Sequence, residues 1–312
     1  MQTIDEFHKY AVLVPMLRKH MLTYLNPRTL LSYSQCSKYC DSEIQQFNIR
    51  PPSTVSIADQ DDGILVKLSY SPGCAFENGP GFKYYMEQFF PVAELDDAMK
   101  RVKLYLMRVY RYVKDGKTND LVLNLKKWPT EVMKFAGFSE LRTLKIHMYN
   151  SMLDEFLDFA ETSTIPVSKL RLDDLDGQNQ IEINKEKSKK IFHSRLFEQL
   201  ERVEIDLDCE VDDEDLLGFN KLYVSLKLKR LSISDDGIRR KVAQLINSKL
   251  TDFVMIVIRI PSDSNHRFDL EVLFPNDDRI IDRIGNDFYL YENVNVISNG
   301  AKLKLMYMPP DY

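Results

Sequence analysis

Glycine and cysteine are both scarce in this sequence of 312 residues, which contains 11 glycines and four cysteines. So few glycines leave little material for a loop that cradles phosphate, and no Gly-x-Gly-x-x-Gly, Walker or Gly-x-Ser-x-Gly motif occurs. The cysteines are too few and too scattered for a disulfide framework. We therefore expect reduced thiols and a location in the cytoplasm, the nucleus or both.

Metal-binding patterns, membrane spans and an excess of positive charge are missing as well. None of the five histidines pairs with a cysteine or carboxylate at a metal-ligand spacing. A net charge of −5 argues against a general nucleic-acid binder. No apolar run approaches the roughly 18–20 residues that cross a membrane, and the polar N-terminus is unlike a secretory signal. These absences predict a protein that is not an enzyme, with no cofactor, no metal, no nucleic-acid partner and no membrane contact.

The first 50 residues have the pattern of helices. Apolar residues recur close to helical spacing at Leu13, Leu17, Met21, Leu22 and Leu25. Asn26 is a good N-cap residue and Pro27 suits the first helical position, so a second helix is expected to begin there. That helix carries Leu30, Leu31, Ser34 and Ser37 and is expected to run toward Ile44 or Phe47.

Residues 13–44 resemble an F-box. The opening run that carries the resemblance is Leu13-Val14-Pro15-Met16-Leu17-Arg18-Lys19-His20-Met21-Leu22-Thr23-Tyr24-Leu25-Asn26-Pro27. The second half is Leu30-Leu31 followed by Ser34-Gln35-Cys36-Ser37-Lys38-Tyr39-Cys40. Val14 stands where the family usually has proline, and Met16 replaces its common acid. The order of segments along the whole chain is similar to that of the expanded nematode F-box families, which combine an F-box with a degenerate leucine-rich-like C-terminal domain.

The resemblance implies an adaptor. An F-box protein docks on Skp1 and so joins a cullin–RING ubiquitin ligase. Its downstream domain binds a protein target, which is then ubiquitinated and degraded by the proteasome. Residues 13–44 would be the dock, and the residues expected to contact a Skp1 homologue are Pro15, Leu17, Leu22, Leu25, Pro27, Leu30 and Leu31.

The number of leucines in this short segment supports docking independently of the family. A short helical pair cannot bury so many apolar residues within itself, and an exposed apolar patch usually marks a partner site. The alternative is that these leucines pack on later residues of the same chain. The protein would then be a leucine-rich-like interaction module that is not coupled to ubiquitination, with N-terminal helices that only cap the rest.

A change of period follows Pro51-Pro52 and indicates that residues 51–118 form a β-hairpin linker and a long helix. Apolar residues alternate on both sides of Asp61-Asp62-Gly63, which predicts a hairpin. An apolar stripe of helical spacing then predicts an amphipathic helix over 92–113.

Residues 119–312 alternate between strand-like and helical runs. The predicted strands cover 121–125, 141–146, 170–172, 203–207 and 231–233, and the predicted helices 152–159, 191–200 and 238–246. Leu141-x-x-Leu144-x-Ile146 and Leu228-x-x-Leu231-x-Ile233 fit the leucine-rich strand template. Such units stack because none buries its apolar face alone. The prediction is an α/β fold with an N-terminal helical F-box and an irregular leucine-rich-repeat-like solenoid that binds the substrate. The solenoid would end in a β-rich region, partly antiparallel, with strands at 253–260, 268–274, 294–297 and 303–307.

Alternate positions on these strands would share one surface, and solenoids use such surfaces to bind partners. The candidate target-binding residues are Lys145, His147, Tyr149, Arg171, Asp173, Glu204, Asp206 and Asp208, and the same assumed register adds Ser232 and Ser234. Like charges on one strand repel one another, so Glu204, Asp206 and Asp208 need an explanation. A solvated face is the simplest explanation, and contact with a basic partner and a metal site are the alternatives.

Overall fold

The structure is a computed structural model of the whole chain, and its fold is mixed α/β with a mostly parallel sheet. That class is the predicted one. The residues that the structure describes are 17, 21, 22, 25, 27–45, 51–70, 84–92, 95–113, 117–135, 137–174, 181–247, 254–261, 264, 268–274, 280–281, 290–296 and 301–307. The chain divides into two compact units, one of residues 1–122 with 129–141 and one of residues 123–128 with 142–312. The predicted division of the first part into a helical domain, 1–50, and a linker, 51–118, stays a prediction.

The first unit contains two short helices, an antiparallel hairpin and a long helix. Its elements are α1 (Pro27–Ser34), α2 (Lys38–Gln45), β1 (Thr54–Gln60), β2 (Gly63–Tyr70), β3 (Tyr84–Pro91), α3 (Leu95–Tyr110), the beginning of β4 (Lys117–Asn124) and α4 (Thr130–Met133). The strands lie in the order β4-β1-β2-β3. Strands β1 and β2 pair antiparallel with Gln60 opposite Gly63, so Asp61 and Asp62 form the turn and the predicted hairpin is confirmed.

Helix α3 confirms the predicted amphipathic helix, although it is shorter at both ends. Its buried stripe includes Met99, Val102, Leu106 and Val109. Acidic residues in the first turn and Arg108 in the last turn suit the helix dipole. At its C-terminal end the Tyr110 ring packs edge-on against the rings of Phe135 and Phe138, with centroids 5.4 and 5.7 Å away. The helix thereby holds the aromatic core of the first unit.

The second unit contains most of the parallel strands. Its elements are β5 (Glu140–Met148, from residue 142), α5 (Leu153–Thr162), β6 (Val167–Asp174), β7 (Glu182–Ile183), α6 (Lys185–Phe192), α7 (Arg195–Gln199), β8 (Arg202–Cys209), α8 (Asp213–Gly218), β9 (Tyr223–Leu228), α9 (Asp235–Asn247), β10 (Met255–Ile260), α10 (Leu270–Leu273), β11 (Ile280–Ile281), β12 (Leu290–Val296) and β13 (Lys302–Tyr307). The strand order is β11-β12-β13-β10-β9-β8-β6-β5, with β7 beside β8. The expected antiparallel pairing near the C-terminus is confirmed for β12 with β13, whereas β10 and β13 pair parallel.

The predicted strand at 231–233 is wrong, and the strand that precedes this run is β9, which ends at Leu228. Its buried apolar positions are Val224, Leu226 and Leu228. Beyond β9, the Asp213 carboxylate accepts hydrogen bonds from the backbone N–H and the hydroxyl of Ser234, at 2.7 and 2.5 Å. These bonds fix the start of α9, so the residues between strand and helix form a connection. Ser232 and Ser234 therefore do not extend the predicted surface.

Two other elements also differ from the prediction. The run 268–274 contains helix α10 instead of a strand, because the Asp269 carboxylate accepts a hydrogen bond from the Val272 N–H at 3.3 Å and turns the chain. The single helix predicted over 191–200 is broken into α6 and α7. Ser194 interrupts it and caps α7, since its hydroxyl accepts a hydrogen bond from the Phe197 N–H at 3.1 Å.

A lysine lies in the core of the second unit. Lys241 on α9 is 1% exposed, and its ammonium donates to the Phe219 carbonyl and to the Gln244 side-chain oxygen, both at 2.8 Å. Both acceptors are neutral, so burial lowers the pKa of Lys241 from 10.5 to about 8. Between these two pH values the unfolded chain keeps a proton that the folded chain has released. The free energy of unfolding should therefore rise with pH in that window.

We predict that Lys241→Met removes this rise. At pH 7 the variant should differ from the parent by only about 1 kcal/mol, because the loss of a buried cation offsets the loss of its hydrogen bonds. Urea unfolding followed by circular dichroism from pH 7 to pH 10 measures the slope. Lys100→Met, at an exposed site on α3, is the control and should keep the parental slope. Equal slopes for Lys241→Met and the parent would contradict the assignment.

Candidate functional site

The N-terminal helices share a small apolar core with the residues that follow α3. Leu22 and Leu30 are each 1% exposed and pack with Ile44 and with Tyr112, which follows α3. Leu25, Leu31, Tyr33 and Val113 pack around this group. The expectation that the short segment leaves its leucines uncovered is therefore wrong for Leu22 and Leu30, because Tyr112 helps to cover them. Leu22 and Leu30 can support a dock by fixing the helices, but their side chains are not at the surface.

Other residues of the predicted dock are more accessible. Leu17 is 53% exposed, Leu25 and Leu31 are half-buried, Pro27 begins α1, and Pro15 lies outside the described residues. Two exposed apolar side chains were not among the predicted contacts, namely Met21 at 49% and Tyr39 at 50%. Residues four apart on a helix share a face. The spacing of Leu17 and Met21 could therefore have indicated that Met21 is exposed on the same face as Leu17. Leu17, Met21 and Tyr39 are the large apolar side chains that are exposed in the described part of the N-terminal segment, and as a set they are hereafter called the N-terminal apolar patch.

A polar clamp ties α2 to the end of α3. The Asp41 carboxylate accepts a hydrogen bond from the Arg111 guanidinium at 2.9 Å and another from the Tyr112 hydroxyl. Burial raises the pKa of Tyr112, and the hydrogen bond to Asp41 raises it further. The Arg111 guanidinium also lies over the Tyr112 ring, 5.5 Å from its centroid. The clamp gives the N-terminal helices a defined orientation on α3.

A second candidate surface lies on the strands of the second unit. On β5, β6, β8, β9, β10 and β13, one set of alternate residues is buried and the other set is wholly or partly exposed in most positions. We call the second set the charged face; its residues are Thr143, Lys145, His147, Lys169, Arg171, Asp173, Arg202, Glu204, Asp206, Asp208, Tyr223, Ser225, Lys227, Met255, Val257, Arg259, Lys302, Lys304 and Met306. Seven of the eight predicted target-binding residues belong to it. The eighth, Tyr149, follows β5, and its hydroxyl donates to the Asn124 side chain at 3.4 Å.

Ion pairs run across the charged face from strand to strand. Lys169 contacts Glu204 at 2.7 Å, Lys227 contacts Asp208 at 3.1 Å, and Arg259 contacts Asp206 at 2.5 Å. The three aligned carboxylates of β8 are thus each neutralised by a cation of the same chain. This pairing explains why like charges persist on one strand. It leaves little need for a basic partner, and among the described residues no group of histidine, cysteine and carboxylate side chains is arranged to hold a metal ion.

Asp173 is the most buried carboxylate of this face. It contacts Arg171 at 2.7 Å and Lys145 at 3.0 Å, and it lies 4.0 Å from His147. Burial raises the pKa of Asp173, but the hydrogen bonds from Arg171 and Lys145 outweigh burial and hold the pKa below its ordinary value. Burial and the charge of Lys145 lower the pKa of His147, which keeps its imidazole neutral at pH 7.

A depression of about 380 Å³ opens in the charged face and is lined by residues of the strands from β6 to β13. Its apolar lining comes from Tyr223, Met255, Val257 and Met306. Its polar lining comes from Arg171, Asp173, Glu204, Asp206, Ser225, Arg259 and Lys304. The target-binding surface predicted from the sequence included no residue of β9, β10 or β13. The alternation of apolar and polar residues within β10 and β13 could have indicated that these strands contribute to the same face.

Comparisons with known proteins identify no relative. No protein-family model, no curated protein and no solved structure matches this chain. Among the described residues, no helix is long and apolar enough to cross a membrane. The site described above is an arrangement suited to contact, with apolar and charged side chains on two surfaces.

We predict that Asp173→Asn destabilises the protein by about 1–3 kcal/mol at pH 7, because it leaves two partly buried cations without their shared carboxylate. Since the folded pKa of Asp173 is lowered, its contribution is present at neutral pH and is lost as the pH falls below the ordinary value of 3.8. Urea unfolding at pH 7 and pH 3 measures both effects. Asp206→Asn, at a side chain that is 48% exposed, is the matched control. A loss as large for Asp206→Asn would show that burial is not the cause.

Proposed function

We propose that this chain is a substrate-recognition adaptor of a Skp1–cullin–F-box ubiquitin ligase. The observation that carries the proposal is the N-terminal apolar patch, which lies on helices whose sequence resembles an F-box. A Skp1 homologue binds at this end of the chain, and a protein target binds the second unit. The adaptor acts in the cytoplasm or the nucleus, where that ligase works on its targets.

The N-terminal end has the construction of a docking element. Its buried leucines and the Asp41 clamp hold α1 and α2 in place, so little conformational entropy is lost when a partner binds. Leu17, Met21 and Tyr39 remain about half exposed on the outside. Large apolar side chains that stay exposed on a short ordered segment are typical of a protein contact.

The second unit supplies the other contact. Parallel strands followed by helices, as in β8-α8 and β9-α9, are the units that we propose to be a degenerate leucine-rich-like solenoid. The charged face is its target-binding surface, in keeping with the predicted residues on β5, β6 and β8. Catalysis belongs to the recruited ubiquitin-conjugating enzyme, and this chain contributes by holding the target close to it.

The second candidate function is an interaction module without a link to ubiquitination. The burial of Leu22 and Leu30 against Tyr112 favours it, because helices that only cover the end of α3 would bury the same residues. The two functions differ in the N-terminal apolar patch. An adaptor uses this patch for Skp1, whereas a module has no partner there.

We predict that the full chain co-purifies with a Skp1 homologue when the two are co-expressed. Leu17→Glu with Met21→Glu should weaken the complex about 100-fold or more, because two charges would then be placed in an apolar interface. The matched control is Leu104→Glu with Met107→Glu on α3, where the exposed fractions are 56% and 50%. Affinity is measured by biolayer interferometry.

The outcome separates the two functions. Retention of Skp1 binding by the control and loss by the N-terminal variant supports the adaptor. A parental chain that does not bind Skp1, or equal binding by both variants, would leave the interaction module as the function. Circular dichroism of both variants checks that each is folded.

A further inference from the structure

Ser225 is the smallest residue that lines the depression in the charged face. It lies on β9, opposite Glu204 of β8 on one side and opposite Val257 of β10 on the other. The neighbouring residue of β9 on the same face, Tyr223, is large and also lines the depression. A serine among longer side chains leaves space above β9, and this space belongs to the depression.

The Ser225 hydroxyl is nearly buried but makes no hydrogen bond within the part of the chain that the structure describes. The residue is only 8% exposed, and no described side chain or carbonyl pairs with its hydroxyl. Polar groups that are buried to this extent usually have a partner in a folded protein. Because Ser225 lines the depression, a group that enters the depression can supply this partner.

The charges that line the depression balance one another. The basic side chains are Arg171, Arg259 and Lys304, and the acidic ones are Asp173, Glu204 and Asp206. Each of these carboxylates contacts a lysine or arginine nitrogen at 2.5 to 2.7 Å. The lining therefore offers a charged ligand no net opposite charge, while entry would remove part of its hydration. This balance favours a neutral ligand group.

The apolar lining suits an aromatic ring. It comes from β9, β10 and β13, whereas the three carboxylates are on β6 and β8. Met255 and Met306 have flexible, polarisable thioether groups, which make favourable contacts with aromatic rings. The guanidinium of Arg259 is planar and can stack on an aromatic face. A flat ring thus finds more favourable contacts here than a branched aliphatic side chain does.

The Ser225 hydroxyl distinguishes between aromatic side chains. Phenylalanine would cover this hydroxyl without giving it a partner, which is unfavourable. Tyrosine and tryptophan combine an apolar ring with an O–H or N–H group that can donate to it. The depression of about 380 Å³ has room for one such side chain.

We propose that the depression is a specificity pocket for one tyrosine or tryptophan side chain of a protein target. The ring lies against Met255 and Met306, and its O–H or N–H donates to the Ser225 hydroxyl. This inference rests on the proposed target-binding role of the second unit and specifies the side chain by which a target is recognised.

The first test is a selection from a random 12-residue peptide display library on the immobilised full chain without Skp1. Peptides that also bind the Ser225→Leu chain are removed, because leucine fills the space above β9 and has no hydroxyl. The remaining peptides should share a tyrosine or tryptophan at one position. No remaining peptide, or a charged or aliphatic residue at the shared position, would overturn the proposal.

A double-mutant cycle then tests the hydrogen bond. Replacement of the shared aromatic residue of an enriched peptide by phenylalanine should weaken binding to the parental chain. That loss should be about fivefold smaller for the Ser225→Ala chain, which no longer has the hydroxyl. Ser56→Ala, on β1 of the first unit, is the matched control and should show the parental loss. Affinity is measured by fluorescence anisotropy.

An equal loss in the parental and Ser225→Ala chains would contradict the assigned hydrogen bond. Circular dichroism checks that each variant is folded. If Ser225→Leu does not fold, the peptides are selected without the subtraction and the cycle decides. Skp1 is absent from both experiments, so their failure would remove the pocket and leave the N-terminal dock to its own co-purification test.

Discussion

Alternate burial along the parallel strands of the second unit is the constraint on which its other features depend. On β8, Val203, Ile205 and Leu207 are each 1% exposed or less. The period of two leaves the residues between them on the other side of the sheet. Every ionisable group of the charged face is placed by this rule. The ion pairs between β6 and β8 and between β8 and β9 follow from it, because neighbouring strands of similar alternation bring their polar residues into contact.

This same rule explains how much could be predicted from sequence. The alternation is visible within each strand, so β5, β6 and β8 and most of their surface residues were predicted correctly. The run 231–233 was mistaken for a strand because the leucine-rich template contains no information about Asp213, which fixes Ser234 from 21 residues away. The partner of Asp206 was beyond reach for the same reason, since Arg259 lies 53 residues further along the chain. Apolar spacing predicts a face, but it does not predict which distant element completes that face.

The N-terminal leucines show a different limit of sequence reasoning. Their spacing predicted helices, and helices are present in the described part of the segment, but the single helix expected from Pro27 toward Ile44 or Phe47 is broken at residues 35–37 into α1 and α2. The spacing did not reveal how many of the leucines are covered by the same chain, because Tyr112 and Val113 follow a helix that begins some 60 residues later. A leucine in the core of the segment and a leucine in a partner contact have the same sequence signature. Only the exposed fractions separate Leu17 from Leu22 and Leu30.

Arg259 illustrates how an irregularity in the sheet shapes the charged face. The register between β8 and β9 shifts after Ile205, where Leu226 is its partner, and pairing resumes at Asp208 with Lys227. Such a bulge releases backbone groups of the longer strand from the ladder.

The Arg259 guanidinium reaches past β9, donates to the Ile205 carbonyl at 3.0 Å and contacts Asp206 at 2.5 Å. Ser225, a small residue of β9 on the same face, leaves room for this long side chain. One arginine thus satisfies a carbonyl at the bulge and neutralises the carboxylate beside it. The acidic strand is therefore stable at the centre of the face.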